Sequence, residues 1–363
     1  MSITTPTVSD ARQQALLRAA RRGDEHAFAE LVEPYGGQLH AHCYRMLGSV
    51  QDAEDALQDA LLRAWRGLKG FEGRSSWRSW LYRIATNASL DVIGRRPKRM
   101  LPVDFGPPSD PHEGPGPPLL ESVWVEPYPD GALGEGASPG ARYEERESVE
   151  LAFIAALQHL PARQRATLIL REVLGFSARE VADSLQTSVP SVNSALQRAR
   201  RTVDERTPDA TQQQTLRALG DRQLRAVVER YVDAWEHGDV DGIVSLLASD
   251  AAITMPPMPT WYRGRDAVAG FLRGFAFAGR WDEGDSRFVD DRRDVRLLPA
   301  RVSGQVAFGS YSYDAARGEH RPLALQVLTF DGGRIGEIAG FVIPQAMPRY
   351  GLPDRLPAPA GPA

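Results

Sequence analysis

The side chains best suited to read a polar surface lie between residues 177 and 201, in the stretch SAREVADSLQTSVPSVNSALQRARR. Ser177 and Glu180 have the spacing of a capping box, which predicts the start of one helix, and Ser188 predicts the start of a second. Apolar residues three and four positions apart predict the buried side of the second helix. Its other side carries short polar side chains, amides and arginines, which can bond base edges and phosphates in a major groove. This side comprises Ser188, Pro190, Ser191, Asn193, Ser194, Gln197, Arg198 and Arg201.

The pattern alone leaves two interpretations of this helix pair open. It is either a DNA-reading helix-turn-helix or an antiparallel helix pair with a solvated polar face. The formal net charge of the chain is -4, the wrong sign for a protein that holds DNA unaided. The charge is uneven, because residues 1–100 carry 15 basic and 11 acidic side chains, whereas residues 101–141 carry seven acidic and no basic ones. The front of the chain is therefore mildly basic.

Two consecutive segments near the front combine acidic, aromatic and basic side chains. The first, VQDAEDALQDALLRAWRGL (50–68), predicts an amphipathic helix with an acidic stripe. The stripe and its border comprise Asp52, Glu54, Asp55, Gln58 and Asp59. The second, 69–96, predicts a loop and a long helix whose aromatic and basic surface suits a single nucleic-acid strand. That surface comprises Arg74, Arg78, Tyr82, Arg83, Asn87 and Arg95. A solvated charged face and core tryptophans are the simpler alternatives.

Residues 101–141 separate these segments from the helix pair. They hold ten prolines and seven glycines, which disfavours regular helix and sheet and predicts a linker. Trp124 and Tyr128 within it either form a chance apolar cluster or dock on a domain. After residue 220, helical patterns give way to strand-like runs, and Asp331-Gly332-Gly333 predicts a hairpin between the last two.

Composition excludes several classes of protein. The single cysteine, Cys43, excludes an internal disulfide framework and fits a reducing cytoplasm. No apolar run is long enough to span a membrane, and the N-terminus lacks the layout of a secretory signal. Seven scattered histidines and one cysteine form no metal-ligand spacing, so neither a metal nor a cofactor is expected.

Three motifs carry a resemblance to known families. The run over 160–182 follows L-P-x-x-x-R-x-x-x-x-L-R-E-x-x-G-x-S-x-x-E-x-A and resembles the fourth conserved region of bacterial sigma factors. The segments DAEDALQDALLRAW (52–65) and FEGRSSWRSWLYRIATN (71–87) resemble the second conserved region of extracytoplasmic-function (group IV) sigma factors. The segment WYRGRDAVAGFL (261–272) and the closing strands resemble the SnoaL-like branch of the nuclear-transport-factor-2-like superfamily.

The sigma-factor resemblance implies partners and roles. The acidic stripe on 50–68 would face the β′ clamp helices of core RNA polymerase, and the β flap would be a further contact. Loop 70–76 and the helix after it would hold the melted −10 element, and the helix-turn-helix would read the −35 element. Core polymerase would then supply most of the affinity for promoter DNA, which removes the objection from net charge. Gly94 departs from the family pattern, which leaves the end of the helix and the place of Arg95 in doubt.

The SnoaL-like resemblance implies a cone that encloses a pocket. The residues expected to line it are Trp235, Met255, Met258, Trp261, Phe271, Phe308, Gln326 and Phe341. Asp233 and Asp250 are the nearby carboxylates, but they do not form an evident acid–base pair, so an enzyme is not expected. The cone is expected to regulate the sigma part through a small-molecule ligand or an intramolecular contact.

The predicted fold class is multidomain, with two all-α helical domains and one α+β cone. The predicted boundaries are sigma region two at 14–100, the linker at 101–141, sigma region four at 142–206, the SnoaL-like domain at 220–345 and a flexible tail at 346–363. Two alternatives stay open: a ligand-responsive helix-turn-helix regulator that acts without core polymerase, and a SnoaL-type enzyme fused to a DNA-binding module.

Overall fold

The structure is a computed structural model that describes residues 10–119, 123–133, 145–278, 281–282, 287–288 and 294–357. Three parts of the predicted domains lie outside this description. They are residues 120–122 and 134–141 of the linker, residues 142–144 at the start of region four, and residues 358–363 of the tail. The chain divides into two compact units. The first comprises Met1–Arg99, Val125–Tyr128 and Ala132–Asp209, and the second comprises Met100–Trp124, Pro129–Gly131 and Ala210–Ala363. In the described residues, no helix has both the length and the apolar character needed to cross a membrane.

The first unit is helical. Its helices are α1 Asp10–Arg21, α2 Glu25–Val32, α3 Gly36–Leu47, α4 Val50–Gly67, α5 Trp77–Ile93, α6 Leu151–Gln158, α7 Ala162–Leu168, α8 Ala178–Ser184 and α9 Val189–Asp204. A π-helical stretch, Ile169–Val173, continues α7. The expected all-α character of the sigma part is confirmed.

Local capping explains where the helices that carry functional side chains begin. Ser49 accepts a hydrogen bond from the Asp52 amide at the start of α4, and Ser76 accepts one from the Ser79 amide at the start of α5. The capping box of Ser177 and Glu180 is present at α8, with both reciprocal hydrogen bonds formed. Helix α5 ends at Ile93, with Gly94 as its C-cap, which settles the doubt about this end of the helix.

Two buried arginines connect the helices of the predicted region two with those of region four. Arg45 on α3 is 2 % exposed, and its guanidinium donates to the Ser148 hydroxyl at 2.7 Å. Arg165 on α7 donates to the Met46 carbonyl and to the Gln158 side chain. Burial lowers the pKa of Arg165 to about 10. Both guanidinium groups are buried and find their acceptors across the two helical regions. These hydrogen bonds tie the regions into one unit.

Part of the linker belongs to the first unit. The Tyr44 hydroxyl donates to the Glu126 carbonyl at 2.7 Å, and the Tyr128 hydroxyl lies 2.8 Å from His40 Nδ1. The Tyr128 side chain is fully buried, with its ring centroid 4.5 Å from that of Tyr44. Of the two alternatives for Tyr128, the structure therefore favours docking.

The second unit combines helices with a curved sheet. Its helices are α10 Gln212–Leu219, α11 Asp221–Glu236, α12 Val240–Leu246 and α13 Arg265–Phe271, and a single helical turn, Pro102–Phe105, lies in the linker. Its strands are β1 Leu247–Thr254, β2 Trp261–Arg263, β3 Trp281–Asp282, β4 Arg287–Phe288, β5 Val295–Val302, β6 Gln305–Asp314, β7 Glu319–Asp331, β8 Arg334–Phe341 and β9 Leu356–Pro357. The expected α+β cone is confirmed.

The sheet has the order β2-β1-β8-β7-β6-β5, with β9 added to β7. Among its described strand pairs, β1 and β8 run parallel and the others run antiparallel. Asp331 pairs with Arg334 across the predicted hairpin, where Gly332 adopts a positive φ of 53° that favours glycine. The helices pack on one face of the sheet around Tyr231, Trp235, Phe271 and Leu328. This face positions the cavity described below.

Both ends of this unit differ from the predicted boundaries. The continuous C-terminal part of this unit begins with α10 rather than at residue 220, because the Gln212 side chain exchanges two hydrogen bonds with the backbone of Phe330. The predicted flexible tail is wrong for residues 346–357. Met347 is fully buried, and the Tyr311 hydroxyl donates to the Pro353 carbonyl at 2.8 Å.

Candidate functional sites

Helix α4 presents an acidic, solvent-exposed face. Glu54, Asp55 and Gln58 are exposed, and Asp59 is half-buried and pairs with Arg63 at 2.7 Å. The buried side of the same helix consists of small residues such as Ala53. Because that side is packed, the acidic side faces outward and is available to a basic partner surface.

Asp52 does not belong to this face. Its side chain is 3 % exposed, and its carboxylate pairs with Arg96 and with Arg99, the latter at 2.6 Å. The Arg99 side chain is itself 5 % exposed and also approaches Glu126 at 3.5 Å. Asp52 therefore does not take the exposed position that the sequence predicts, because Arg96 and Arg99 draw its carboxylate into the interior.

The surface predicted for the −10 element is only partly exposed. Arg83 and Asn87 on α5 and Arg95 after it are exposed. Arg74 is exposed in the preceding loop, where it lies 3.2 Å from Glu72. The tryptophans of this segment are core residues, since Trp77 and Trp80 stack at 5.0 Å beneath Phe71. The aromatic groups of 69–87 thus build the domain and leave the basic and amide groups on its surface.

Arg78 and Tyr82 are covered by the predicted region four. The Arg78 guanidinium lies over the ring of Phe176 and donates to the Leu174 carbonyl at 3.0 Å. Tyr82 is 1 % exposed, packs edge-on against Phe176, and burial raises its pKa to about 12. Close by, the Ser79 hydroxyl donates to Glu180 at 3.0 Å. The predicted surface position of Tyr82 is therefore wrong in this structure, because a tertiary contact occupies it.

A buried histidine lies next to this contact. The His42 ring is 5.3 Å from that of Tyr82, and His42 Nε2 lies 2.9 Å from the Thr86 hydroxyl. That hydroxyl donates to the Tyr82 carbonyl, so the neutral His42 ring donates to Thr86. Burial, together with the nearby charges of Arg45 and Arg78, lowers the pKa of His42 to about 3.

Helix α9 has the two-sided character that the sequence predicts. Val192, Leu196 and Ala199 are buried against the unit. Ser188 caps the helix by accepting a hydrogen bond from the Ser191 amide at 3.3 Å. All eight residues predicted to face DNA are exposed: Ser188, Pro190, Ser191, Asn193, Ser194, Gln197, Arg198 and Arg201. The amides and arginines can therefore reach a major groove without rearrangement of the helix.

The second unit contains an apolar cavity of about 380 Å³. Its walls come from the helices, the concave face of the sheet and the linker. The lining residues are Pro115, Pro118, Trp235, Ile253, Met255, Pro257, Met258, Phe271, Ala276, Phe277, Val295, Ser310, Leu323, Ala324, Gln326, Ile338, Gly340, Val342, Pro344 and Gln345. None of these described residues carries an ionisable side chain. We call this space the apolar cavity.

Five residues predicted to line the pocket do so: Trp235, Met255, Met258, Phe271 and Gln326. Three predicted lining residues do not: Trp261, Phe308 and Phe341. The Trp261 indole instead donates to the Gly106 carbonyl, and the Phe308 ring packs against the Tyr231 ring. Phe341 points to the opposite face of the sheet, because Gln326 pairs with its neighbour Gly340 and adjacent strand residues face opposite sides. Asp233 and Asp250 are exposed outside the cavity, with side chains 77 % and 68 % exposed.

No pattern in the sequence predicted the linker wall of the apolar cavity. Pro115 and Pro118 lie in a stretch with no periodicity, so nothing marked them as lining residues. Strand alternation, by contrast, identifies Ile253 and Ile338 as wall residues once Met255 is placed on the concave face.

Comparison with known families matches three parts of the chain. Residues 31–99 match Sigma-70 region 2, residues 150–203 match Sigma-70, region 4, and residues 228–338 match the SnoaL-like domain. The crystal structure of the Mycobacterium tuberculosis extracytoplasmic function sigma factor SigJ has a TM-score of 0.52 at 23 % identity. The match covers 88 % of this chain and 96 % of that chain, which supports a shared fold.

Two curated relatives match different lengths of the chain. The RNA polymerase sigma-H factor of Pseudomonas aeruginosa is 32 % identical over 53 % of this chain and 93 % of its own length. The ECF RNA polymerase sigma factor SigG of Mycobacterium tuberculosis is 40 % identical over 93 % of this chain and 86 % of its own length. The second match includes the linker and the SnoaL-like part, and it establishes that this chain belongs to the family of ECF RNA polymerase sigma factors.

Proposed function

We propose that this protein binds core RNA polymerase, directs it to particular promoters and helps to open them, and that its SnoaL-like unit adjusts this activity. The observation that carries the proposal is the division of α9, whose apolar side is packed while its predicted base-reading side is exposed. Family membership supports the same function. Polymerase as the partner implies a cytoplasmic location.

Glu54, Asp55, Gln58 and Asp59 are the residues we assign to the β′ clamp helices. They form an exposed acidic face on a helix that is well capped and packed. The Coulomb attraction of such a face for a basic helix pair sets the association rate and the register of the complex. Asp52 is left out of this assignment, because it serves the interior ion pair with Arg99.

Contact with the −10 element requires the two helical regions to separate. Arg83 and Asn87 are accessible, but Arg78 and Tyr82 are covered by Phe176 and Leu174. Binding to polymerase and DNA would supply the free energy that releases this contact, as expected when ligands favour a minor state. The structure described here is then the state before promoter engagement.

We assign no catalysis to the SnoaL-like unit. Asp233 pairs with His237 and Asp250 pairs with Arg263, both at the surface. The described lining of the apolar cavity offers no carboxylate or histidine to move a proton. General acid–base catalysis needs such a group within hydrogen-bond reach of the substrate, so the lining supports a binding role.

The test is run-off transcription from a genomic promoter library with purified core polymerase. The full chain should initiate at a defined set of promoters, and the variant Glu54→Lys with Asp55→Lys should lose this initiation. The control Glu33→Lys changes an exposed charge outside α4 and should retain it. A chain ending at Asp209 should use the same promoters at a different rate if the SnoaL-like unit adjusts activity. If the full chain shifts duplex DNA without any initiation, it is a free-standing regulator instead.

A further inference from the structure

The apolar cavity has the size and chemistry of a ligand site. Its volume of about 380 Å³ lies within the range of small-molecule pockets. Aromatic, methionine and aliphatic side chains dominate its walls, and among the described lining residues no charge is available to compensate an ionised guest. Burial of an unpaired charge is costly, so this cavity selects against ions.

Three described lining residues have polar side chains, Ser310, Gln326 and Gln345. The Ser310 hydroxyl donates to the Ala324 carbonyl at 3.0 Å and Gln345 is exposed, so the buried amide of Gln326 is the donor that can orient a guest. The Tyr231 hydroxyl, fully buried, donates to Gln326 Oε1 at 2.8 Å. This hydrogen bond occupies the carbonyl side of the amide and leaves its NH₂ group as the donor on the cavity wall. A guest that carries a carbonyl or ether oxygen can accept from Gln326, whereas a guest without an acceptor leaves that donor unsatisfied.

The linker forms one wall of this cavity, and hydrogen bonds hold it before and after the two lining prolines. Before Pro115, the Trp261 indole donates to the Gly106 carbonyl at 2.8 Å and the Tyr262 hydroxyl donates to the Glu113 carbonyl at 3.1 Å. The Thr260 hydroxyl donates to the carbonyl of Pro115 itself. After Pro118, the Leu119 amide donates to the Pro257 carbonyl at 3.1 Å. The rings of Pro115 and Pro118 lie between these hydrogen bonds and line the cavity.

We propose that the apolar cavity binds a neutral, mostly apolar small molecule with a hydrogen-bond acceptor, and that ligand binding and docking of linker residues 106–119 stabilise each other. A guest that touches Pro115 and Pro118 binds the cavity more tightly when the linker is docked than when the linker is released. Thermodynamic linkage then requires the docked linker to raise ligand affinity by the same factor. An effect of this coupling on transcription rests on the proposed sigma function, whereas ligand binding and linker docking do not.

The test uses the full-length protein and three probes of nearly equal shape: acetylnaphthalene, ethylnaphthalene and naphthoate. Isothermal titration calorimetry or the tryptophan fluorescence of the protein measures their affinities. Acetylnaphthalene should bind about three- to tenfold more tightly than ethylnaphthalene, the ratio expected for one net hydrogen bond. Naphthoate should not bind measurably. The variant Gln326→Leu should bind both neutral probes with equal affinity, which separates loss of the hydrogen bond from loss of the fold.

The linker half of the proposal has its own variants. Pro115→Ala combined with Pro118→Ala should weaken acetylnaphthalene binding severalfold, whereas Pro117→Ala, at an exposed position between them that does not line the cavity, should not. In the wild type the probe should slow hydrogen exchange of the Ser109 and Leu119 amides, which donate to Trp261 and Pro257.

Each contrary result overturns a defined part of the proposal. Absence of binding by both neutral probes overturns the ligand site, and binding of naphthoate overturns its neutral character. Equal affinity of the linker variants and unchanged exchange overturn the coupling. These measurements need no polymerase, so a failure of run-off transcription alongside normal probe binding would reject the sigma function and leave the ligand site standing.

Discussion

The guanidinium of Arg78 lies 4.3 Å from the ring centroid of Phe176, and through this contact region four covers a surface of α5 that the sequence assigns to DNA. The same guanidinium lies 5.1 Å from the ring centroid of Tyr82. Cation–π contacts of a partly desolvated arginine contribute about 1 kcal/mol. This contact acts together with the hydrogen bond from Arg78 to the Leu174 carbonyl, so it is one of several that hold the covered state.

A double-mutant cycle measures this contact. Phe176→Leu keeps an apolar side chain and Arg78→Met keeps an unbranched one, and each should lower the free energy of unfolding in urea. The coupling energy between them should be about 0.5–2 kcal/mol, because each single variant already loses the shared interaction. Additive effects of the two substitutions would show that the contact contributes nothing.

Charge reversal on α4 should separate binding from folding. Glu54→Lys with Asp55→Lys should weaken binding to core polymerase at least tenfold while leaving the thermal unfolding midpoint unchanged, since both side chains are exposed. Biolayer interferometry at two salt concentrations gives the affinity, and Glu33→Lys, which reverses one exposed charge outside α4, is the control. Wild-type affinity for the double variant would exclude this face as the clamp contact.

Asp52→Asn should lower the stability of the fold and leave the affinity of the folded protein for polymerase unchanged. It leaves the guanidinium of Arg99, whose side chain is 5 % exposed, without its full counter-charge. Breaking a buried ion pair by removing one partner costs about 3–5 kcal/mol. Urea unfolding should therefore show a large loss of stability, and polymerase binding should fall only as far as the folded fraction does. A loss of binding in a fully folded Asp52→Asn variant would return this residue to the binding face.

Helix α9 should divide into residues for specificity and residues for affinity. Asn193→Ala and Gln197→Ala should each cost about 1–3 kcal/mol of discrimination at one promoter position. Arg198→Ala should weaken binding to all promoters alike and reduce the salt slope by about one. Competition on a randomised −35 library with holoenzyme measures both effects. Uniform losses from all three variants would assign them to phosphate contacts.

Stability should fall with acid through His42. Its pKa of about 3 in the folded protein lies below the ordinary value of 6.5, so the unfolded chain binds the extra proton between these two values. The stabilisation is complete above pH 6.5 and is lost as the pH falls towards 3, by about 2 kcal/mol between pH 7 and pH 5. Urea unfolding across this range should show a flatter pH-dependence for His42→Gln than for wild type. The exposed-site control His26→Gln should keep the wild-type slope.

Local chemistry made much of this fold predictable. The Ser177–Glu180 capping box, the apolar spacing of α9 and the Asp331–Gly333 turn are encoded within a few residues, so the sequence displays them directly. The family motifs then supplied the order of the domains. Helical periodicity also identified the exposed acidic side of α4.

Long-range pairings account for what was not predictable. Asp52 has the position of a surface residue on its own helix, and only Arg96 and Arg99, beyond the end of the next helix, make it a core residue. Tyr82 is covered by Phe176, from a segment on the far side of the linker. Linker residues 106–119 bind through backbone carbonyls and proline rings, which leave no periodic pattern in the sequence.

The place of Glu126 determines how this protein can be recombined with its relatives. Its carboxylate accepts hydrogen bonds from the Ser49 hydroxyl at 3.0 Å and the Val50 amide at 2.9 Å, so a linker residue completes the first turn of α4. A hybrid factor whose linker has no acid at this place would leave the Val50 amide without its acceptor, and the helix assigned to polymerase would begin with an unsatisfied amide. Exchange boundaries that keep residues 125–128 with region two preserve the helix, whereas a boundary at residue 100 does not.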